Sequence, residues 1–195
     1  RSVGWIVETA RPRQAPTYAA PETGQELRAE TVVQIYDVQN QDKTDWYMIG
    51  MDEWVERRYV RQLEIQTTPP EGVDNNRWID INLYEQTMAV YDNGQLVFAT
   101  LIATGADPYY TRPGLFKIYQ KKLTETMQGS FEADRSDYYY LENVPWTMYF
   151  DKARALHGAY WRAMWGYEQS HGCVNLSPGD AHWLYDWAKE GDYVY

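Results

Sequence analysis

The feature that most constrains the fold is a run of alternating apolar and polar residues that begins at Trp78. Its apolar members are Ile79, Ile81 and Leu83. Because they recur at every second position, they lie on one face of an extended strand. A second β-rich run, 87–91, leads into Asn93-Gly94, and the chain then returns over 95–104. Since Asn and Gly tolerate the positive φ of a two-residue hairpin turn, residues 77–104 are predicted to form a three-stranded meander.

The remainder of the C-terminal half shows further strand patterns and one helix pattern. Strands are expected at 115–121 and 145–150. The polar, tyrosine-rich stretch between them, 123–143, lacks periodicity and is expected to be a long functional or mobile loop. A helix is expected after Ser177, its N-cap, and Gly191 would end it. The fold class is therefore predicted to be mainly β, with one or two short helices.

Residues 1–64 form a separate group of short strand patterns divided by turns, which favours a small barrel. The strongest strand signal in this half is the β-branched run 31–38. Residues 65–76 are dominated by Pro, Gly and polar side chains, so they are expected to be a linker. The predicted organisation is a small domain at 1–64, a linker at 65–76 and a second domain at 77–195.

The charge of the chain argues against nucleic acid as a partner. The net charge is −10, from 18 basic and 28 acidic side chains, whereas binding to phosphates depends on clustered Lys and Arg. No run of 18 apolar residues occurs, so no membrane span is expected. The chain begins at Arg1 rather than Met, so the lack of a visible leader does not argue for the cytoplasm.

The chemistry of the chain centres on its only cysteine, Cys173. A thiol becomes a good nucleophile near neutral pH when an imidazole takes its proton. His171 lies two positions before Cys173 and His157 lies 16 positions before it. Because side-chain geometry at a spacing of two is usually poor, His157, from a separate strand, is the favoured base. Gly172 lets the backbone bend so that its N–H groups can approach a developing oxyanion.

These residues also allow other interpretations. A lone cysteine is more often a small core residue than a nucleophile. The four residues His157, His171, Cys173 and His182 could bind zinc, although their spacing matches no common structural site. A papain-like hydrolase would place its cysteine before its histidine, which is the reverse of the order found here.

The signature around these residues resembles that of the L,D-transpeptidase (YkuD-type) catalytic domain. The matching segments are Leu156-His157-Gly158 and Ser170-His171-Gly172-Cys173-Val174-Asn175-Leu176, with twelve residues between His157 and Ser170. Residues 113–118 and 145–150 are weaker matches to the same family pattern. The resemblance covers residues 77–195 and implies a β-sandwich-like catalytic domain.

The resemblance implies a role for each residue of the signature. Cys173 would be the nucleophile, and His157 the general base, oriented by the backbone carbonyl of Gly158. His171, Gly172 and Cys173 would shape the oxyanion site, supported by Ser170 and Asn175. The substrate would be a peptidoglycan stem tetrapeptide, whose terminal D-alanine leaves as a cysteine acyl-enzyme forms. The side-chain amine of a neighbouring stem would then complete a 3→3 cross-link.

The same resemblance implies partners and a location. Carbapenem-type β-lactams would acylate the cysteine, and neither a cofactor nor a metal is expected. The protein would be exported to the cell envelope or the extracellular space and would act in wall biogenesis and cell shape. Water as the acceptor would give an L,D-carboxypeptidase instead. A cell-wall-binding protein with an inactive catalytic domain is a further alternative, against which the intact Cys–His pair argues.

The N-terminal half resembles a bacterial SH3-like domain. The residues that carry this resemblance are Trp46-Tyr47-Met48-Ile49, Glu53-Trp54-Val55 and Tyr59-Val60. It implies a small barrel that binds cell-wall peptides or serves as a spacer.

The chain departs from the transpeptidase pattern at two places. Ala159-Tyr160 stand where many members have Thr or Ser, which leaves the backbone as the only group to orient His157. Asn175 stands where other members carry Arg, so a contact to the donor carboxylate is not predicted from this position. Eight aromatic side chains could line a cleft, although core or lid packing is the simpler explanation for each: Tyr109, Tyr110, Tyr138, Tyr139, Tyr140, Tyr160, Trp161 and Trp165.

Overall fold

The structure, a computed structural model, describes residues 2–130 and 132–195. Within these residues there are fifteen β-strands, one α-helix and a short 3-10 turn at Arg57–Tyr59. The prediction of a mainly β protein with one or two short helices is therefore confirmed. The α-helix, α1, is Pro178–Trp187.

Six strands belong to the N-terminal half and form two three-stranded sheets. They are β1 Ser2–Ile6, β2 Val32–Ile35, β3 Asp37–Gln41, β4 Thr44–Gly50, β5 Glu53–Glu56 and β6 Val60–Leu63. The order in one sheet is β2-β1-β6 and in the other β3-β4-β5. Their apolar side chains enclose a shared core that includes Ile6, Ile35, Tyr47 and Val55. The SH3-like barrel stays a prediction.

The first C-terminal sheet has five strands in the order β10-β15-β7-β8-β9. They are β7 Trp78–Asn82, β8 Thr87–Asp92, β9 Gln95–Leu101, β10 Phe116–Lys117 and β15 Tyr193–Val194. Strands β7, β8 and β9 are successive antiparallel neighbours, as predicted for the meander. Asn93 and Gly94 have φ values of 51° and 72°, which fits the predicted turn.

The second C-terminal sheet has four strands in the order β11-β12-β13-β14. They are β11 Gln120–Gly129, β12 Tyr139–Asp151, β13 Arg154–Gly158 and β14 Val174–Leu176. The last pair, β13 and β14, is parallel. Helix α1 follows β14, and Ser177 Oγ accepts a hydrogen bond from the Asp180 N–H at 3.4 Å, as expected of an N-cap.

The C-terminal core is built between the two sheets and the helix. Ile79 and Val90 come from the five-stranded sheet, Met148 and Leu156 from the four-stranded sheet, and Leu184 from α1. All five side chains are fully buried. The apolar positions Ile79 and Ile81 of β7 thus face this core, and the packed layers position the four-stranded sheet that carries the candidate site.

The prediction of a long loop at 123–143 is wrong. Strands β11 and β12 form an antiparallel hairpin through most of this stretch. Five of the ten residues of β11 are exposed and only Met127 is buried, so neither face imposes an apolar alternation on the sequence. The strand at 115–121 is also divided, since β10 ends at Lys117 and β11 begins at Gln120.

Helix α1 ends at Trp187, four residues before the predicted Gly191. Long side chains from elsewhere take its terminal carbonyl groups. Arg77 Nη2 donates to the Trp187 carbonyl, and Lys121 Nζ donates to those of Tyr185 and Ala188, each at 2.6 Å. These bonds satisfy the end of the helix without a glycine cap.

The two halves of the chain are packed against each other. Leu63 of β6 contacts a cluster with Trp78 and Tyr91, and Arg61 Nε donates to the Gly166 carbonyl at 2.8 Å. The segment 65–76 contains neither helix nor strand, and the division into domains at 64 and 77 stays a prediction. In the part of the chain that the structure describes, α1 is too short to cross a membrane, and no other helix could do so.

Candidate active site

The parallel pairing of β13 with β14 brings the two segments of the signature together. His157 on β13 lies opposite Asn175 on β14, and Cys173 lies directly before β14. His157 and Cys173 line one cavity of about 190 Å³. The remaining lining residues are Met127, Tyr139, Leu141, Trp161, Arg162, Ser170, His171 and Asn175.

His157 is held as a neutral base. Its Nδ1 lies 2.9 Å from the Gly158 carbonyl oxygen, which can only accept a hydrogen bond, so Nδ1 carries the proton and Nε2 carries the lone pair. The side chain is 2% exposed. Burial, with a smaller contribution from the charge of Arg162, lowers the pKa of His157 to about 4, against the opposing effect of the Gly158 bond. His157 is therefore neutral at pH 7.

The Cys173 side chain lies against the backbone of β13. Its Sγ accepts a hydrogen bond from the Ala155 N–H at 3.4 Å and donates to the Ala153 carbonyl at 3.8 Å. The residue is partly exposed. Burial of its sulfur raises the pKa of Cys173 to about 11, opposed by the Ala155 bond and the charge of Arg154. The pair at rest is therefore a neutral thiol and a neutral imidazole, rather than an ion pair.

The turn before Cys173 is held by Ser170 and depends on a glycine. Ser170 Oγ donates to the Cys173 carbonyl at 2.5 Å and accepts from the Gly172 N–H at 3.2 Å. Gly172 has a φ of 115°, and a Cβ there would come within 3.0 Å of Arg154 Nε. Thr111 Oγ1 donates to the Gly172 carbonyl at 2.9 Å. The Gly172 N–H, predicted as an oxyanion donor, is thus bonded to Ser170 at rest.

His171 lies on the rim of the cavity and is exposed. Its ring stacks on that of Tyr109, with centroids 4.9 Å apart, and lies 5.2 Å from the ring of Tyr139. These contacts place the His171 ring at the edge of the cavity, between two tyrosine rings.

Arg162 is a residue of the cavity that sequence reasoning missed. Its Nε donates to Asn175 Oδ1 at 3.1 Å, and its Nη2 donates to the Gln169 carbonyl at 2.7 Å. Since Asn175 Oδ1 accepts from Arg162, its Nδ2 faces His157 Nε2, at 3.2 Å. Arg162 stands in the stretch between the two signature segments, which the sequence pattern treats as a spacer.

Arg154 is a second missed residue, and it belongs to a small charged cluster beside Cys173. Its Nη1 lies 3.5 Å from Asp151 Oδ2. Asp151 also accepts from Arg112, through Nε at 2.8 Å and through Nη2. Arg154 supplies a positive charge that favours the thiolate of Cys173. No motif marks this cluster, because its three members are separated in sequence.

Only some of the eight cleft aromatics reach the cavity. Tyr139 and Trp161 line it, and Tyr109 contacts His171 at its edge. Trp165 is 8% exposed and packs in a core cluster with Val7 and Leu101. Tyr110, Tyr138, Tyr140 and Tyr160 are exposed.

The zinc alternative finds no cluster to support it. His182 lies on α1, where its ring stacks on Trp146 and its Nε2 is 3.3 Å from Asp186. Among residues 2–130 and 132–195, no group of three or more His, Cys, Asp or Glu side chains could hold a metal ion.

The sequence model of YkuD, the L,D-transpeptidase catalytic domain, matches residues 76–195. The chain belongs to this family. Among curated relatives, L,D-transpeptidase 2 of Mycobacterium tuberculosis is 30% identical over 112 residues, which are 55% of this chain and 28% of that protein. The chain thus matches little more than a quarter of that relative's length.

Solved L,D-transpeptidase structures share the fold. The catalytic domain of the Enterococcus faecium L,D-transpeptidase, acylated by ertapenem, is 26% identical, with a TM-score of 0.55 over 63% of this chain and 98% of that one. An L,D-transpeptidase from Mycobacterium smegmatis is 19% identical, with a TM-score of 0.57 over 97% of this chain and 81% of that one. The second likeness concerns the fold alone.

Proposed function

We propose that this L,D-transpeptidase family member forms 3→3 cross-links in peptidoglycan through an acyl-enzyme on Cys173. The observation that carries the proposal is the state of His157: a neutral imidazole whose Nε2 lone pair and the Cys173 thiol share one cavity. A thiol with a raised pKa needs such a base, because few thiolates form spontaneously at neutral pH.

In the first half-reaction, the thiol proton moves from Cys173 Sγ to His157 Nε2 as the sulfur attacks the carbonyl carbon of the third stem residue. Two resting hydrogen bonds break before this step: the one from Cys173 Sγ to the Ala153 carbonyl and the one from Asn175 Nδ2 to His157 Nε2. The tetrahedral intermediate collapses, its C–N bond breaks, and His157 returns the proton to the departing D-alanine amine. The products are a thioester on Cys173 and free D-alanine.

In the second half-reaction, the side-chain amine of a neighbouring stem attacks the thioester carbonyl. The amine gives a proton to His157 Nε2, the C–S bond breaks, and that proton restores the Cys173 thiol. The new amide is the 3→3 cross-link. If water attacks instead, the product is a tripeptide and the enzyme is an L,D-carboxypeptidase.

The oxyanion of each intermediate would be stabilised by backbone N–H groups of the turn at Cys173. The Cys173 N–H is the proposed donor closest to the reacting carbon. The Gly172 N–H would be a second donor, once it gives up its hydrogen bond to Ser170 Oγ and bonds to the oxyanion instead. One such donor commonly stabilises the transition state by about 3 kcal/mol. His171 shapes the entrance through its contacts with Tyr109 and Tyr139.

The test is incubation with a carbapenem, followed by intact-mass measurement. The protein should gain one adduct, and Cys173→Ala should gain none. His157→Gln should be acylated at least about 100-fold more slowly, since general-base catalysis is worth about 10²–10⁴ in rate. A folded protein that remains unlabelled would contradict the cysteine acyl-enzyme.

Product analysis separates transfer from hydrolysis. With tetrapeptide stems as both donor and acceptor, the proposal expects D-alanine and a cross-linked dimer, whereas the carboxypeptidase alternative gives D-alanine and tripeptide alone. An inactive wall-binding protein would release no D-alanine. The bond from His157 Nδ1 to the Gly158 carbonyl, which leaves the lone pair on Nε2, favours an active enzyme over this last alternative.

The proposed substrate also sets the proposed location. Peptidoglycan stems are exposed outside the cytoplasmic membrane, so the enzyme would act in the cell envelope or the extracellular space. The N-terminal half, as an SH3-like unit, would dock the catalytic domain on the wall or hold it at a distance.

A further inference from the structure

A second and larger cavity lies away from Cys173. Its volume is about 360 Å³, and none of its lining residues also lines the cavity of Cys173. Its apolar wall consists of Ile81, Leu83, Phe116, Phe150 and Val194. This volume is within the range of small-molecule sites, near its lower end.

One buried carboxyl group lines this cavity. Asp80, on β7, is only 8% exposed and is among the residues that line the cavity. Among the described residues, its carboxylate has neither a hydrogen-bond donor nor an ion-pair partner. Its oxygens are nevertheless not sealed inside the protein, since Trp78 Nε1 and Arg154 Nε are the only side-chain nitrogen or oxygen atoms of the described residues that are both buried and unbonded. The Asp80 carboxylate therefore retains some contact with solvent.

The surroundings of Asp80 increase the cost of its negative charge. Burial raises the pKa of Asp80 to about 6, and the nearby negative charge of Glu64 raises it further in the same direction. The Glu64 carboxylate accepts from Asn82 Nδ2 at 3.2 Å. Arg112 lines the same cavity but is held by Asp151. At neutral pH, Asp80 is thus a largely ionised, buried and uncompensated group.

A bound cation would remove this cost, and the wall indicates which kind. A metal ion would need several oxygen, nitrogen or sulfur ligands, and no group of three or more His, Cys, Asp or Glu side chains that could hold one occurs in the part of the chain that the structure describes. A carboxylate beside aliphatic and aromatic side chains instead suits an ammonium group on a hydrocarbon stem, through a charge-assisted hydrogen bond. We propose that this cavity binds a compact organic ammonium ion, with Asp80 as its anionic anchor.

The test is an NMR titration of the full chain with n-pentylammonium at pH 7.5, in which the methyl signals of Ile81 and Val194 report binding. The neutral isostere 1-pentanol is titrated in parallel. We expect pentylammonium to shift both methyl signals and to bind at least about 10-fold more tightly than pentanol, because a charge-assisted bond is roughly twice as strong as a neutral one. Equal affinities, or no shift at either methyl group, would overturn the proposal.

Variants identify the anchor. Asp80→Asn keeps the shape of the side chain and should weaken pentylammonium binding at least about 10-fold. The matched control Glu64→Gln removes a neighbouring negative charge outside the cavity wall and should change the affinity by less than about 3-fold. An Asp80→Asn protein that binds as tightly as the wild type would contradict the assignment.

A measurement on the wild-type protein tests the same assignment without depending on the folding of a variant. As the pH falls below the pKa of Asp80, the carboxyl group becomes neutral, so pentylammonium affinity should fall while pentanol affinity stays constant. Glu64 and Tyr91 are the titratable groups that share its electrostatic environment. If the affinities for pentylammonium and pentanol changed with pH in the same way, Asp80 would be excluded as the anchor. Cys173→Ala should bind pentylammonium with the affinity of the wild type. A negative result here would therefore leave the proposed acyl-enzyme untouched, and a negative carbapenem result would leave the ammonium site untouched.

Discussion

Both ring nitrogens of His157 are hydrogen-bonded, and the two bonds act in opposite directions on its basicity. The Gly158 carbonyl accepts from Nδ1 and favours the imidazolium, whereas Asn175 Nδ2 is a donor that faces the Nε2 lone pair and disfavours it. Arg162 fixes the second contact, because its bond to Asn175 Oδ1 sets which way the amide points. Arg162 thus acts as a positioning residue for the proposed base.

This arrangement predicts how the rate of acylation falls at acidic pH. His157 accepts a proton only while it is neutral, so acylation by a carbapenem should fall as the pH drops through the His157 pKa of about 4. Arg162→Gln removes a positive charge and lets Asn175 turn its oxygen toward Nε2, and both changes raise that pKa. Between pH 7 and pH 5 the variant should slow by about 2-fold or more and the wild type by less than about 1.5-fold.

The measurement is the rate of adduct formation across pH 4–8, followed by intact mass. Arg162→Lys, which keeps the charge but lacks the planar fork, should give an intermediate profile. Coincident profiles for Arg162→Gln and the wild type would refute the positioning role.

The β11–β12 hairpin is the element that covers the candidate nucleophile from one side. Met127 of β11 and Tyr139 and Leu141 of β12 line the cavity of Cys173. Their burial around the sulfur contributes to the desolvation that raises the pKa of the thiol. The hairpin therefore restricts access to Cys173 and lowers its intrinsic reactivity at rest.

Neighbouring tyrosines on β12 and in the turn before it offer a matched test of this covering role. Tyr139→Ala opens the cavity and hydrates the sulfur, so alkylation of Cys173 by iodoacetamide should accelerate about 3- to 10-fold, as a pKa decrease of up to one unit would give. Tyr138 is exposed and bonds to Gln128, so Tyr138→Ala should leave the rate unchanged. Equal rates in the two variants would show that the hairpin does not shield the thiol.

At the scale of the whole molecule, a buried carboxylate joins the two halves of the chain. Glu85 is 3% exposed and accepts from Arg57 Nη2 at 2.6 Å and from the Gln62 N–H at 2.8 Å. Arg57 and Gln62 belong to the N-terminal half, and Arg57 also donates to the Tyr84 hydroxyl. These bonds, together with the cluster of Leu63, Trp78 and Tyr91, make the halves mutually dependent for stability.

Removing this carboxylate should therefore be costly. Glu85→Ala leaves the Gln62 N–H and a partly buried guanidinium without their acceptor, and the free energy of unfolding in urea should fall by about 2–4 kcal/mol. Glu26→Ala breaks the pair with Arg11, whose side chains are 61% and 47% exposed, and should cost less than about 1 kcal/mol. If Glu85→Ala lowered the free energy of unfolding as little as Glu26→Ala, the contact through Glu85 would not stabilise the two halves of the chain.

The elements whose signals are local could be predicted from the order of the amino acids alone. The alternation in β7, the Asn93-Gly94 turn and the Ser177 cap each depend on residues a few positions apart, and each is found where it was predicted. The spacing of the signature also placed His157 and Cys173 in one cavity. In contrast, β11 carries no apolar alternation, because five of its ten residues are exposed and only Met127 is buried.

The groups that act on the candidate catalytic pair are brought there by the packing of segments that are distant in sequence. Arg162 reaches Asn175 because β13 and β14 run side by side, and Arg154 meets the Cys173 turn because Gly172 leaves the space that a Cβ would fill. Asp80 reads as one polar position in an alternating strand, and its isolation appears only once the neighbouring segments enclose it. Burial and hydrogen-bond partners depend on long-range packing, so no local pattern encodes them.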